Sequence, residues 1–208
     1  MLRVGLTGGV ACGKTTVGEM FVRRGAHLVQ ADRIAHDLMQ PGTGVYARIV
    51  ETFGRGILNA DGSVSRPRLA EAAFGKGRIA ELNAIVHPAV IAEEDRWMNR
   101  VEQADRGAIA IVEAALLVEA SRAKSYDKLI TVTCSFDQKA ARFAARHGMD
   151  LDAARAEVKR RMAAQASDEE KIRVSDYVID NSGSLAETEK QVEVVFRELA
   201  GNRRIASG

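Results

Sequence analysis

A glycine-rich turn, Gly8-Gly9-Val10-Ala11-Cys12-Gly13-Lys14-Thr15, limits what this chain can fold into more than any other feature. The residues before it, Arg3 to Thr7, read as a short buried strand. Those after it, from about Lys14 to Arg24, read as a helix with Val17, Met20 and Phe21 at helical spacing and Gly25 as its stop. Gly8, Gly13, Lys14 and Thr15 satisfy G-x-x-x-x-G-K-[ST] in full. Small residues let consecutive backbone N–H groups of such a loop converge on an anion, and the following helix aims its positive dipole end at the same point. Gly8, Gly9, Val10, Ala11, Cys12, Gly13, Lys14, Thr15 and Thr16 are therefore expected to cradle a nucleoside triphosphate, with ATP the expected nucleotide. Lys14 is expected to reach the β- and γ-phosphates, and the Thr15 hydroxyl to ligate Mg2+. Cys12 counts first as a small loop residue, although a thiol near a helix N-terminus can be reactive. The turn lacks G-x-G-x-x-G, so a dinucleotide reading fails even though Asp32 has roughly the offset of a ribose-binding acid.

Further strands are expected at Leu28-Val29, Ala108 to Val112, Leu129 to Val132 and Tyr177 to Ile179. Helical patterns separate them. The stretch from Ile34 to Arg106 is mostly helical, with turns at Pro41-Gly42, Asn59 to Gly62 and Gly75-Lys76-Gly77. Gln138 to Lys171 is a charged helical region broken at His147-Gly148. Ser184 and Glu187 form a capping box for a last helix, with Leu185, Val192, Val195, Phe196 and Leu199 as its apolar face. Strands alternating with helices predict an α/β fold with a parallel sheet covered on both faces. Ligands of such sheets bind at the carboxyl ends of the strands, where the glycine turn and Asp32 both fall.

The 208 residues suffice for one domain with inserted segments. The net charge of +2 argues against nucleic acid as a partner, and the cluster Lys159-Arg160-Arg161 is read as a solvated helix face able to bind phosphate. Two cysteines, Cys12 and Cys134, show neither zinc spacing nor a disulfide framework. No apolar run has the length of a membrane span, and the N-terminal residues do not read as a signal peptide, so a cytoplasmic location without membrane attachment is expected.

No Asn-Lys-x-Asp motif of a GTP switch is present. A kinase for a small molecule needs an acid at the acceptor hydroxyl, a basic lid over the phosphates and a region that holds the acceptor. Asp32 is the candidate acid, with an N-cap for the next helix as the alternative reading. Arg142 and Arg146, one helical turn apart, share a face that can stabilise developing phosphate charge, with Arg161 further along. A solvated face is the alternative there. Other functions left open are a nucleoside monophosphate kinase or another small-molecule kinase, and a non-catalytic ATP-binding switch.

An ordered set of segments runs from Val4 to about Leu199: Gly5 to Val10 leading into Gly13 to Val17, then Gln30-Ala31-Asp32, and Asp61 to Arg66 with Leu69. It continues through Ile85-Val86-His87-Pro88, Leu116 to Glu119, Arg142 and Arg146 with Gln138, Arg161 with Gln165, and Asp176 to Gly183. In this set the chain resembles the dephospho-CoA kinase family. The resemblance implies a three-layer P-loop kinase fold: a sheet core of residues 1–33, 107–137 and 172–200, a helical acceptor region of residues 34–106, and a helical lid of residues 138–171. It implies transfer of the ATP γ-phosphate, with Mg2+, to the ribose 3′-hydroxyl of dephospho-CoA; a monomer or weak homo-oligomer is expected. By motif position Asp32 would be the acceptor-side acid, Arg142 and Arg146 would belong to the lid, and Asn181 would lie near the adenine. Arg66 and His87 would fall in the acceptor region. Two departures stand out. Gln30 replaces the first acid of an Asp-x-Asp pair, and Glu113 with Ala115 replaces the acid and proline of Asp-x-Pro-Leu-Leu-Phe-Glu.

Overall fold

The computed structural model describes residues 1–75 and 77–202. The chain runs β1 (Leu2–Gly8), α1 (Lys14–Val22), β2 (His27–Gln30), α2 (Ala31–Leu38), α3 (Gly44–Phe53), α4 (Arg66–Ala70) and α5 (Ile79–Ala104). It continues β3 (Ile109–Glu113), β4 (Lys128–Thr133), α6 (Phe136–His147), α7 (Leu151–Ala163), α8 (Asp168–Arg173), β5 (Tyr177–Asp180) and α9 (Leu185–Asn202). The strand order is β2-β3-β1-β4-β5, and β1 pairs in parallel with β3 and β4, as β4 does with β5. Every strand expected from the sequence is present within a residue or two of its expected bounds.

The chain divides into two compact units, one made of Met1–Leu28 with the chain from Arg100 onward, the other of Val29–Asn99. In the first, all five residues of β3 and the last five of β1 are buried. An unbroken apolar strand needs cover on both faces, and helices supply it. Val17, Met20 and Phe21 of α1 pack with Val4, Leu6, Ile111 and Ile130, joined by Val192, Val195 and Leu199 of α9. The expected α9 face needs one correction: Leu185, its first residue, is 61% exposed. The buried apolar stripe begins at Val192, about two turns further along the helix. The box at the start of α9 forms as expected, with Ser184 N–H donating to Glu187 Oε2 at 2.7 Å and Glu187 N–H to Ser184 Oγ at 3.3 Å.

β1 is central, and the chain leaves it for β2 on one side before crossing to β4 on the other. The carboxyl end of β1 is thus the point where the winding reverses, the usual mouth of a ligand crevice. In the second unit, Val45, Ile49, Ile57, Leu69 and Ile85 form a separate core. α5 passes through Pro88 without stopping. Proline offers no N–H to the carbonyl of Ala84, and both residues are exposed, so water can serve that carbonyl.

Candidate active site

The turn after β1 is wound by three residues with positive φ: Gly8 at 149°, Ala11 at 53° and Gly13 at 92°. Ala11 is one of two non-glycine residues among those described with positive φ, a conformation that costs energy for a side chain. Alternating backbone handedness turns successive N–H groups to one side, the geometry of an anion nest. Gly13 takes the N-cap position of α1 and supplies no side-chain cap, so the first N–H groups of that helix are left for another acceptor. Lys14 Nζ donates to the carbonyls of Gly8 and Gly9, each at 3.0 Å, folding the ammonium over the loop. The Lys14 ammonium thus lies over a loop with the backbone geometry of an anion nest and an uncapped helix start, an arrangement that fits a polyphosphate.

The loop is held from outside by residues far along the chain. Asn181 Nδ2 donates to the Cys12 carbonyl at 2.9 Å, and its Oδ1 accepts from Thr188 Oγ1 at 2.9 Å. Arg142 donates to the same Cys12 carbonyl at 3.3 Å and to the Asn181 carbonyl at 2.9 Å. A Cβ on Gly13 would lie 2.2 Å from Asn181 Nδ2, so glycine is required there by contact as well as by φ. Val10 and Ala11 pack against Phe143 of α6 and Ala154 and Val158 of α7. Cys12 is fully buried, and burial raises its thiol pKa more than nearby Lys14 lowers it. The reactive-thiol reading therefore fails: Cys12 is a packing residue.

At the start of α1, Thr15 Oγ1 donates to Glu113 Oε1 at 2.8 Å. Glu113 is the last residue of β3, paired beside Leu6, and is 8% exposed. A hydroxyl and a carboxylate next to a phosphate nest form an oxygen donor set suited to Mg2+, which keeps several waters and takes few protein ligands. Among the described residues no three His, Cys, Asp or Glu cluster as a metal site, so Thr15 would be the direct ligand and Glu113 its partner. Sequence reasoning noted Glu113 only as a departure. The signal that could have revealed it is a carboxylate ending the strand next to β1.

The sequence model described as dephospho-CoA kinase matches residues 2–187. A dephospho-CoA kinase of Aquifex aeolicus is 40% identical over 200 residues, covering 96% of this chain and 98% of that protein. The chain belongs to the dephospho-CoA kinase family. Among solved structures, a protein of Thermus thermophilus shares the fold at a TM-score of 0.78 and 26% identity, over 95% of this chain and 97% of that one. The dephospho-CoA kinase of Campylobacter jejuni superposes at a TM-score of 0.60 and 24% identity, over 94% and 96% of the two chains.

Against this family background, the remaining expected site residues fall into two groups. Arg142 joins the loop directly. Arg146, one turn on, is exposed, and Arg161 is exposed, paired with Glu157 at 2.7 Å and lying 4.9 Å over the Phe143 ring. Two arginine partners, Arg160 first, hold the Glu157 carboxyl down to about 2. The second group lies in the other compact unit. Asp32 is exposed in the first turn of α2, whose N-cap position is taken by Gln30, so the N-cap reading of Asp32 fails. Arg66 opens α4 and is exposed. His87 is exposed on α5 immediately before Pro88. Asn181 turns its side chain to the loop backbone and is 2% exposed.

Proposed function

We propose that this dephospho-CoA kinase family member transfers the ATP γ-phosphate to the 3′-hydroxyl of dephospho-CoA, giving coenzyme A and ADP. The loop amides, the open N-terminus of α1 and Lys14 bind the triphosphate and offset its charge. Mg2+, held at Thr15 with Glu113 behind it, would supply further charge neutralisation at the phosphates. Asp32 orients the acceptor hydroxyl and accepts its proton late in the transfer, consistent with an exposed carboxylate just past the end of β2. Arg142 stabilises the transferring phosphoryl group from α6, and Arg146 joins it when the helices of residues 138–171 close as a lid. Arg66 and His87, both exposed, serve the acceptor in residues 34–106. Asn181 shapes the nucleotide site by holding the loop at Cys12.

The observation that carries the reading is the uncapped N-terminus of α1 beneath a loop of alternating handedness, with Lys14 and Thr15 at its rim, in a chain matched by the family over residues 2–187. We read the protein as a cytoplasmic monomer or weak homo-oligomer with no nucleic-acid partner, supported by a net charge of only +2. No helix among the described residues is long and apolar enough to cross a membrane. The deciding experiment measures ADP release with dephospho-CoA, with AMP and with no acceptor. Release should depend on dephospho-CoA, and Asp32→Ala should lower turnover by two or more orders of magnitude while leaving ATP affinity within a few-fold, the usual scale for losing a general base. Equal ADP release in all three arms refutes the acceptor, and full turnover in Asp32→Ala refutes the role of that acid.

A further inference from the structure

Lys139 and Lys171 are both buried among the described residues, and Lys139 lies beside the loop. It is 1% exposed, lies on α6, and forms an ion pair with Asp168 in the first turn of α8. Taking the lysine out of water is costly, its partner Asp168 keeps 24% exposure, and such a pair is weak grounds for stability, so its placement calls for another reason. Its position supplies one. A Cβ built on Gly9 would lie 3.1 Å from Asp168 Oδ1 and 3.3 Å from Lys139 Nζ. Gly9 is not among the glycines with positive φ. The backbone there does not demand glycine; the ion pair lies close enough that a side chain at this position would press on it.

The pair is also held rigidly. Asp168 follows Ser167, whose capping box with Glu170 fixes the start of α8. Lys139 sits at i, with Arg142 at i+3 and Arg146 at i+7, so three cations share one face of α6, and the first two of them meet the loop. Sequence reasoning found only the last two. A contact pair bridging two helices, pressed on a loop residue that must present its amide to phosphate, sets where that amide points.

Building on the ATP-binding reading above, we propose that Lys139 and Asp168 form a positioning pair for the nucleotide phosphates. The pair fixes the Gly9 segment of the loop from behind, and the ammonium cancels a carboxylate that would otherwise face the triphosphate. Neither residue needs to touch the substrate. The two charges therefore have unequal roles: losing the lysine leaves an anion behind a polyanion site, and losing the aspartate leaves a cation.

The test is isothermal titration of MgATP, without acceptor, into the parent protein, K139M, D168N and the double variant K139M/D168N, each checked by thermal melting. The double variant keeps the shapes and leaves no unpaired charge, so it remains informative where a single variant folds poorly. The double variant should be folded and bind MgATP at least about fivefold more weakly than the parent, and K139M should lose about tenfold or more, exceeding the loss in D168N, as expected of unequal local charge. A folded double variant binding within twofold of the parent overturns the proposal, as do equal losses in folded K139M and D168N. A parent that does not bind MgATP overturns the kinase reading as well, which separates the two failures.

Discussion

Replacing Asn181 by Asp changes one donor to an acceptor at almost constant shape. In the native site Nδ2 donates to the Cys12 carbonyl at 2.9 Å, Oδ1 accepts from Thr188 at 2.9 Å, and the residue is 2% exposed. In Asn181→Asp an ionised carboxylate would set an oxygen against the Cys12 carbonyl in a buried place. The introduced carboxyl avoids this by keeping its proton, which can then be donated to the carbonyl. Holding a carboxyl protonated at pH 7 against an ordinary value near 3.9 costs up to about 4 kcal/mol, at about 1.4 kcal/mol per unit. Arg142, bonded to the Asn181 carbonyl at 2.9 Å, reduces that figure by favouring the charged form. The sign follows from the raised folded pKa of an acid. The penalty is absent below about pH 4, where the unfolded carboxyl is also protonated, and it grows as pH rises toward the folded value. Asn181→Ala loses the same contact without a titrating group and should cost about 1–3 kcal/mol independent of pH. For a chain of this length each kcal/mol shifts Tm by about 2–4 °C, so Asn181→Asp should melt about 5–15 °C below the parent at pH 7 and only a few degrees below at pH 5. Thermal unfolding by circular dichroism at pH 5, 6 and 7 for the three proteins measures this. A deficit in Asn181→Asp that is the same at pH 5 and pH 7 refutes the reasoning, because the loop would then not depend on a donor at that atom.

Three further outcomes follow from the site and its surroundings. Glu113→Gln keeps the length of the side chain but removes the charge behind Thr15, so half-saturation of activity by Mg2+ should require about 10–100-fold more metal; an unchanged Mg2+ activation curve removes Glu113 from the metal pole. Cys12 should resist iodoacetamide at neutral pH in the folded protein and react only after denaturation, read by mass spectrometry; rapid native labelling would contradict its burial and raised pKa. Pro88→Ala restores a helical N–H within α5 and should stabilise the protein by about 1–3 kcal/mol, seen as a rise in Tm, while raising the KM for dephospho-CoA if the His87-Pro88 turn of helix serves the acceptor. A higher Tm with unaltered acceptor kinetics would leave Pro88 without a functional role.

Much of the sheet was legible because parallel strands buried on both faces must be continuously apolar, and Ala108 to Val112 or Leu129 to Val132 have no other reading at that length. The phosphate loop was legible for a different reason: an anion nest is made by neighbouring backbone groups, so its signature is local. Helix ends were legible where a side chain caps them, as at Ser184 and Glu187. Leu185 was misread because periodicity assigns a face to a residue without knowing whether anything lies opposite it.

What could not be read is the set of residues that hold the loop in place. Glu113, Lys139 and Asp168 lie about a hundred positions or more from the loop and helix start they support, and nothing in local pattern joins Thr15 to Glu113 or Gly9 to Asp168. Lys139 illustrates the difficulty best. In the sequence it is one more lysine in a charged helix, and charge on a helix is ordinarily solvated. Only the fold shows it to be 1% exposed, because α8 returns Asp168 to α6 and the pair closes over Gly9. The same holds for Asn181, whose grip on the loop backbone at Cys12 no local pattern announces. A backbone nest can bind phosphate only if its amides stay aimed against the repulsion among them, and that restraint has to come from outside the loop. The residues that supply it are therefore set by tertiary contact, which is why the chemistry of this site was visible in eight consecutive residues while its support was not.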